Sequence, residues 1–289
     1  MISQNGNKFS REQRPMIVRT SMVGWVLICL IPLTSCNEGS PVEPSLEQIV
    51  IRAYLYAGES VSDIQLTRTI LLSSTDSIAP PVNDANVTLR KSGQAYQLMQ
   101  SPGDSGYYHY PGNDLQVRAG DRFDIEVLFQ GRTSTAWTVV PPPPDGVTIS
   151  SDKLVIPSTA DFSFFQRDSS RLVVQWSNLN SALYYVVIEN IEANPEPVTL
   201  GSAILNRVRG RFISSPISGN RFNVNILSIT HYGRHRVNVY RINQEYADLY
   251  RSRQQNSRDL NEPLTNIQNG LGVFSAFNST AVYFTVTGQ

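Results

Sequence analysis

The stretch that decides the fold is RLVVQWSNLNSALYYVVIENI, residues 171–191. In its first part, Leu172, Val174 and Trp176 occupy every second position, which is typical of a strand with one buried face. A short polar loop follows, and LYYVVIENI (183–191) is again rich in β-branched and aromatic residues. The stretch therefore predicts two consecutive strands with a tryptophan between the sheets of a β-sandwich.

The same short alternating runs recur along the chain, bounded by Gly, Pro, Asn, Asp and Ser. They predict an all-β fold of two tandem antiparallel β-sandwich domains, because each run can bury one face and leave the other wet. The runs are IVIRAYLY (49–56), IQLTRTILL (64–72), ANVTLRK (85–91), FDIEVLF (123–129), TSTAWTVV (133–140), RFNVNILSI (221–229) and HRVNVYRI (235–242).

A run of four prolines, 141–144, separates the two sets of strands. Proline cannot donate to a strand ladder and favours a stiff, extended spacer. We therefore predict an immunoglobulin/transthyretin-like domain over 46–142 and a fibronectin type III-like domain over 143–289. A proline-rich exit from an edge strand within one domain is the alternative.

The second domain resembles fibronectin type III at two places. The strand with Trp176, the short loop and Tyr185-x-Val187 resemble that fold's strands B and C, and HYGRHRVNVYRI (231–242) resembles strand F. His235 stands where that strand usually has a tyrosine, which leaves the usual tyrosine-corner hydrogen bond open.

One helix is predicted near 243–256, as a short insertion before the last strand. In INQEYADLYRSRQQN (242–256), Tyr246, Leu249 and Tyr250 fall on one face, and Asn243 is a candidate N-cap.

The chain carries 24 basic and 24 acidic residues, but four of the basic ones precede position 36 against one acid. The remainder holds 20 basic and 23 acidic residues. A mildly acidic chain has no electrostatic reason to bind phosphate backbones, so we expect no nucleic-acid partner.

The N-terminus contains MVGWVLICLIPL (22–33), twelve uncharged residues after a basic segment. A helix of that length cannot cross a hydrocarbon core of about 30 Å. It has the length of a signal-peptide hydrophobic region. The alternative, a buried strand or helix of the folded body, does not explain the charge upstream. Met16 is a second candidate for the translation start.

Leu33-Thr34-Ser35-Cys36 resembles a bacterial lipobox, in which the thiol of the cysteine takes a diacylglycerol. We therefore predict a signal peptide over 1–35, lipidation of Cys36 and a lipidated tether over 36–45. Glu38, just after the cysteine, resembles surface-export signals of Bacteroidetes lipoproteins. It favours the cell surface over the periplasmic face of the outer membrane.

Motifs of enzymes and metal sites lack their context. Gly103-Asp104-Ser105-Gly106 matches part of a serine-protease loop, but no histidine motif accompanies it, and a turn explains it. His231 and His235 flank a turn without a third ligand. Tyr107 to Tyr110 is an aromatic-rich run that could stack on sugars, although strand alternation would turn some of its rings inward. We expect no enzyme activity, no metal and no cofactor.

The C-terminal stretch NEPLTNIQNGLGVFSAFNSTAVYFTV (261–286) resembles the end of a Bacteroidetes outer-membrane lipoprotein family of unknown function. Asn269 replaces the first glycine of a pair in that family's pattern. The resemblance implies two β-domains and a structural role for the signature. The matching residues include Pro263, Asn266, Ile267, Gly270, Leu271, Gly272 and Phe274.

The resemblance also implies an accessory role beside a TonB-dependent receptor, with the membrane contacted through the lipid anchor. A non-enzymatic accessory lipoprotein in nutrient uptake is therefore our first hypothesis. A stand-alone glycan- or peptide-binding lipoprotein is the second, and a hydrolase with a carboxylate pair that the sequence does not single out is the third. The ligand-binding residues stay open.

Overall fold

The structure is a computed structural model that describes residues 48–70, 78–156, 172–200, 203–204, 210–225, 229–253 and 265–288. Within these ranges it contains strands in four sheets and one short helix. The strands are β1 (Ile49–Tyr56), β2 (Asp63–Arg68), β3 (Asn86–Lys91), β4 (Gln94–Gln97), β5 (Met99–Gln100), β6 (Tyr107–His109), β7 (Arg122–Phe129), β8 (Arg132–Val139), β9 (Asp145–Ile149), β10 (Lys153–Ile156), β11 (Val173–Ser177), β12 (Leu183–Asn190), β13 (Thr199–Leu200), β14 (Ala203–Ile204), β15 (Arg211–Ile213), β16 (Arg221–Asn223), β17 (Gly233–Ile242) and β18 (Leu271–Gly288); the helix is α1 (Gln244–Arg253).

The largest sheet has nine strands in the order β15-β12-β17-β18-β1-β2-β6-β5, with β10 pairing separately to β18. A four-stranded sheet, β4-β3-β7-β8, and a three-stranded sheet, β16-β11-β9, supply the opposing layers, and β13 and β14 form a small hairpin. The predicted all-β sandwich architecture is confirmed.

The first core lies between β1, β2 and the start of β18 on one side and the four-stranded sheet on the other. In β1, Ile51, Ala53 and Leu55 are buried, and the residues between them are half-buried. In β7, Phe123 and Ile125 are buried in the same phase. Each fully buried side chain of this size contributes about 1.5–3 kcal/mol of transfer free energy.

The second core lies around Trp176 of β11, which is 3% exposed. Its indole packs against Tyr184 of β12, with ring centroids 5.2 Å apart. Val174 on β11 and Val237 on β17 are fully buried in the same cluster. The tryptophan therefore fills the sandwich as its position in the sequence predicts.

Strand β18 belongs to both halves. Its first seven residues pair in parallel with β1, from Val50↔Leu271 to Tyr56↔Phe277, and later residues pair antiparallel with β17, from Arg241↔Asn278 to Gly233↔Val286. Eighteen residues of strand span about 60 Å, which is long enough to line two cores. The described residues from Gln48 onward accordingly lie in one compact unit.

This sharing bears on the predicted boundary between 142 and 143. Phe274 and Ala276, from the segment assigned to the second domain, are buried in the first core. Independence of the two domains stays a prediction, but their cores are not divided at a single point of the chain. Strand β18 pairs in parallel with β1 and with β10, whereas the sequence predicted antiparallel sheets.

The proline run follows the end of β8 and lies along β18. The Asn278 amide donates to the Pro141 carbonyl at 2.9 Å, and the Thr280 hydroxyl donates to the Pro144 carbonyl at 2.9 Å. Both prolines are buried. These two hydrogen bonds fasten the proline run to β18.

Helix α1 packs on an aromatic cluster formed by both halves. The Tyr246 ring lies 5.8 Å from Tyr54, 5.7 Å from Tyr185 and 5.0 Å from Phe277. Burial raises the pKa of Tyr185 and of Tyr56, so both phenols stay neutral at physiological pH. The predicted helix is present, and it covers the place where β1, β12 and β18 meet.

Asn243 directly precedes α1, and its main-chain carbonyl accepts from the Ala247 amide at 3.5 Å, which is the position predicted for the N-cap. Its side-chain amide donates to the Thr138 hydroxyl at 3.1 Å and to the Val139 carbonyl at 2.8 Å, both on β8. The side-chain amide therefore also ties the start of the helix to the four-stranded sheet.

Candidate functional site

Two of the predicted site residues, Cys36 and Pro263, lie outside the described residues, as do the predicted signal peptide and tether. Lipidation of Cys36 stays a prediction. The other signature residues are described, and their contacts can be read directly.

The signature forms a hairpin-like turn that closes the first core. The Asn266 amide donates to the Phe274 carbonyl at 2.7 Å, and its side-chain oxygen accepts from the Phe274 amide at 3.0 Å, as a paired strand would. Ile267 and Phe274 are buried. Asn269 has a φ of 58°, so it takes the left-handed conformation that the replaced glycine would supply.

Gly272 shows why the signature needs a glycine. Its φ is +107°, and a Cβ there would lie 2.0 Å from the Ile51 carbonyl oxygen on β1. Gly270 is also confined, with a virtual Cβ 3.1 Å from Ile267 and from Ser134. Leu271 is the first residue of β18. The last strand therefore begins inside the signature, which was predicted to be a turn before that strand. These contacts shape the fold and leave little of the signature for a ligand.

The GDSG segment is a turn, as expected. The Gly106 amide donates to the Asn83 side chain at 2.9 Å, and its carbonyl accepts from the Leu66 amide at 2.8 Å. The Asn83 amide also contacts Asp104. His109 lies 3.0 Å from the Ser101 hydroxyl. These polar groups serve local structure.

The aromatic run at 107–110 alternates between the core and the surface. Tyr108 is 1% exposed, and its hydroxyl donates to the Val82 carbonyl at 3.1 Å and accepts from the Ala85 amide at 3.0 Å. Tyr107 and Tyr110 are half-buried on other faces. The rings of Tyr107, His109 and Tyr110 are partly exposed and could contact a ligand, and Tyr110 also packs against the first core.

One surface depression lies at the junction of the two halves and is called the junction groove here. It encloses about 640 Å³ and is open to solvent. Four chain segments supply its walls, at the turn before β7, the end of β8, the turn before β12 and the end of β17. They are Ala119–Gly120, Val139–Pro142, Ser181–Leu183 and Arg241–Gln244.

Another depression, the Tyr110 cleft, encloses about 400 Å³ between two loops of the first half, Gly58–Val61 and Tyr110–Arg118. The Tyr110 hydroxyl donates to Asp114 at 2.8 Å, which raises the pKa of the phenol. The ring packs edge-on against Tyr96, with centroids 5.4 Å apart. An aromatic ring beside amide and carboxylate groups can stack on a sugar and bind its hydroxyls.

The described ranges contain neither a membrane-spanning helix nor a cluster of metal-ligating side chains. None of these residues forms a helix long and apolar enough to cross a bilayer. Nor do three His, Cys, Asp or Glu side chains come together there in a group that could hold a metal ion.

Comparison with known proteins gives one decisive match. A family model described as a domain of unknown function, DUF4249, matches residues 40–281. The chain belongs to the DUF4249 family. No curated protein matches it. Among solved structures, the titin Ig tandem domains A164-A165 align over 84% of this chain and 97% of that chain, with 10% identity and a TM-score of 0.19.

Membership of DUF4249 confirms that the chain belongs to a family of unknown function, as the C-terminal signature suggested. The two depressions of this DUF4249 chain were not predicted. A signal for the groove exists in HRVNVYRI, where Val237 and Val239 are followed by Arg241 in the same inward phase. An arginine at a core-facing position of a strand is a reason to test that position for ligand binding.

Proposed function

We propose that this protein is a non-enzymatic, lipid-anchored outer-membrane protein of Bacteroidetes type that assists a TonB-dependent receptor in nutrient uptake. The lipobox-like segment ending at Cys36, the acidic Glu38 and the C-terminal signature support this proposal. The same signals favour the cell-surface face of the outer membrane over the periplasmic face.

The structural observation that supports the proposal most is how the predicted anchor joins the fold. Twelve residues separate Cys36 from Ile49, a length that can reach about 40 Å when extended. They lead into β1, which is bonded on both sides, to β2 and to β18. A tether joined to a strand that is paired on both sides would hold the folded domains near a membrane partner, and any pull on the tether would act on an interior strand of the sheet.

Two measurements test the proposal. Labelled palmitate should be incorporated by the wild-type protein in its native host and not by Cys36→Ala. Tagged protein from gently solubilised outer membranes should co-purify with a stoichiometric β-barrel receptor, and Cys36→Ala should lose it. Anchored protein that brings down no receptor would overturn the accessory role.

The Tyr110 cleft favours a second candidate, a stand-alone glycan-binding lipoprotein. If glycans bind there, Tyr110→Ala should abolish retention on an immobilised envelope polysaccharide, because stacking on the ring is lost. Tyr107→Ala, on another face of the sheet, is the matched control and should retain binding. Tyr108 is unsuitable for this test, since its buried ring and hydroxyl support the fold. Equal retention by wild type and Tyr110→Ala would exclude the cleft.

A further inference from the structure

Arg241 is the most unusual charge in the second half of the chain. It follows the buried Val237 and Val239 on the core-facing side of β17, and it is half-buried. In the register it lies opposite Tyr184 of β12 and Asn278 of β18. The cation therefore stands where the two cores meet, at the wall of the junction groove.

No described carboxylate pairs with this guanidinium. The ion pairs of the described residues engage other cations; on β17 itself, Arg236 pairs with Glu189. Glu245, close by in the sequence, accepts bonds from the hydroxyls of Thr138 and Ser275. A half-buried charge without a counter-ion has lost part of its hydration, so a bound anion would be favourable there.

The rest of the groove wall mixes the polar residues Ser181, Asn243 and Gln244 with apolar ones. Val139, Pro142 and Leu183 are among its wall residues, and the groove is open along the surface. Small-molecule sites usually enclose most of their ligand, whereas an open groove suits an extended chain. On the same face of β8 lie Val139, which is 38% exposed, and, beyond the groove, Trp137, which is 55% exposed and has the Arg122 guanidinium 4.6 Å from its ring centroid.

The edge of β8 offers a peptide its backbone as well. Thr135 exchanges two backbone hydrogen bonds with Gln268, and the Val139 carbonyl accepts from Asn243. By strand alternation the backbone of Trp137 points to the same edge, and no described backbone group pairs with it there. Trp137 therefore offers a peptide one N–H and one C=O, between the occupied positions Thr135 and Val139, and strand addition uses backbone groups of this kind.

We propose that the junction groove binds a short extended peptide that carries aliphatic side chains and a carboxylate, with the carboxylate on Arg241. The inference rests on the proposed function, because it names the surface by which the protein holds a segment of its partner. The peptide pairs with β8 near Trp137, and its side chains cover Val139, Pro142 and Leu183.

The test uses the full chain in detergent and a phage-displayed library of random heptapeptides. Selected peptides should be enriched in one carboxylate beside aliphatic residues. Changing that Glu or Asp to its amide should weaken binding, measured by fluorescence anisotropy, by about tenfold or more. Arg241→Gln should bind both forms equally, since the group that distinguishes them is gone.

Arg234→Gln is the matched control. Arg234 lies on the same strand but is exposed, with its guanidinium 4.7 Å from the Tyr283 ring. It should keep the full preference for the carboxylate form, and the thermal midpoints of both variants should match wild type. A carboxylate preference that survives Arg241→Gln, or a selection without enrichment, overturns the inference.

The same variants separate this inference from the proposed function. If a receptor co-purifies equally with wild type and with Arg241→Gln, receptor docking stands and the groove is not its surface. If Arg241→Gln loses the receptor while Arg234→Gln keeps it, both are supported. If peptides bind as described and wild type brings down no receptor, the accessory role fails and the groove belongs to a stand-alone peptide binder.

Discussion

His235 fills the place that a tyrosine usually takes in strand F of fibronectin type III-like domains. It is 3% exposed, and its ring stacks on Phe284 with centroids 5.1 Å apart. Its Nδ1 lies 3.0 Å from the Gly233 carbonyl oxygen and so donates to it, while Nε2 faces the Asn190 amide at 3.5 Å. The imidazole therefore makes the bond to the upstream backbone that the phenol of a tyrosine corner makes.

This environment makes stability depend on pH. Burial lowers the pKa of His235 from its usual 6.5, and the charge of His231 lowers it further, whereas the Gly233 bond and Glu192 oppose the shift. Since the unfolded chain binds the proton more readily, the stabilisation is complete above about pH 6.5 and is lost as the pH falls through the folded-state pKa.

We expect the urea midpoint of the wild-type protein to fall between about pH 7 and pH 5. His235→Tyr should flatten this dependence, because tyrosine does not titrate there and can make the same backbone bond. His231→Gln, at a half-buried position, is the control and should keep most of the slope. Parallel pH profiles for wild type and His235→Tyr would show that another group is responsible.

At the scale of elements, the buried hydroxyl of Thr138 makes two of the polar contacts that hold helix α1. Thr138 of β8 is 1% exposed; its Oγ1 donates to the Glu245 carboxylate at 2.8 Å and accepts from the Asn243 amide at 3.1 Å. The Ser275 hydroxyl, on β18, adds a longer bond to the same carboxylate at 3.4 Å. The helix is thereby fixed to strands of two different sheets.

Thr138→Val should cost about 2–3 kcal/mol, because it removes a hydrogen bond to a charged group and leaves that group partly unpaired. Urea unfolding measures this loss of stability. In hydrogen exchange, the substitution should speed up exchange of the amides of 244–253, relative to wild type, more than that of other amides. Thr135→Val is the control, since the Thr135 hydroxyl makes only an exposed contact with Gln268 at 3.3 Å. Equal costs for the two variants would contradict an anchoring role for Thr138.

The elements found from the sequence are those whose signal is local. IVIRAYLY and FDIEVLF became β1 and β7 because their alternation reports one buried face. RFNVNILSI was read as a nine-residue strand, whereas β16 covers only Arg221–Asn223 within the described residues. The parallel pairing of β18 with β1 joins positions about 220 residues apart, and no local pattern encodes such a partner.

The candidate sites were harder to predict for the same reason. The junction groove is formed by four segments that are separated in sequence, two turns and two strand ends, and only the inward phase of Arg241 hints at it. The Tyr107–Tyr110 run was correctly suspected of alternating, but the choice of Tyr110 over Tyr108 depends on which ring meets the core. The local sequence predicts which side chains of a strand face the core, but it does not predict which distant loops come together to form a groove.

At the scale of the whole molecule, the shared strand β18 should make the two halves unfold together. Phe274 lies in the first core and Phe284 in the second, and both are almost fully buried on one continuous strand. Separating the halves would break the pairing of β18 with β1 or with β17. Cooperative unfolding follows when neither half keeps its layers without the other.

The described residues contain two tryptophans, one in each half, which allows a direct test. With Trp25 also replaced by Phe, Trp137→Phe leaves Trp176 as the reporter of the second half, and Trp176→Phe leaves Trp137 as the reporter of the first. Within each variant, the fluorescence transition should coincide with loss of the far-ultraviolet circular dichroism signal. Adding Phe284→Ala should destabilise the second core by about 3–5 kcal/mol. Because β18 carries this loss into the first half, the Trp137 signal should shift to lower urea as far as the Trp176 signal does. If Phe284→Ala leaves the urea midpoint of the Trp137 fluorescence unchanged, the two halves are instead independent domains.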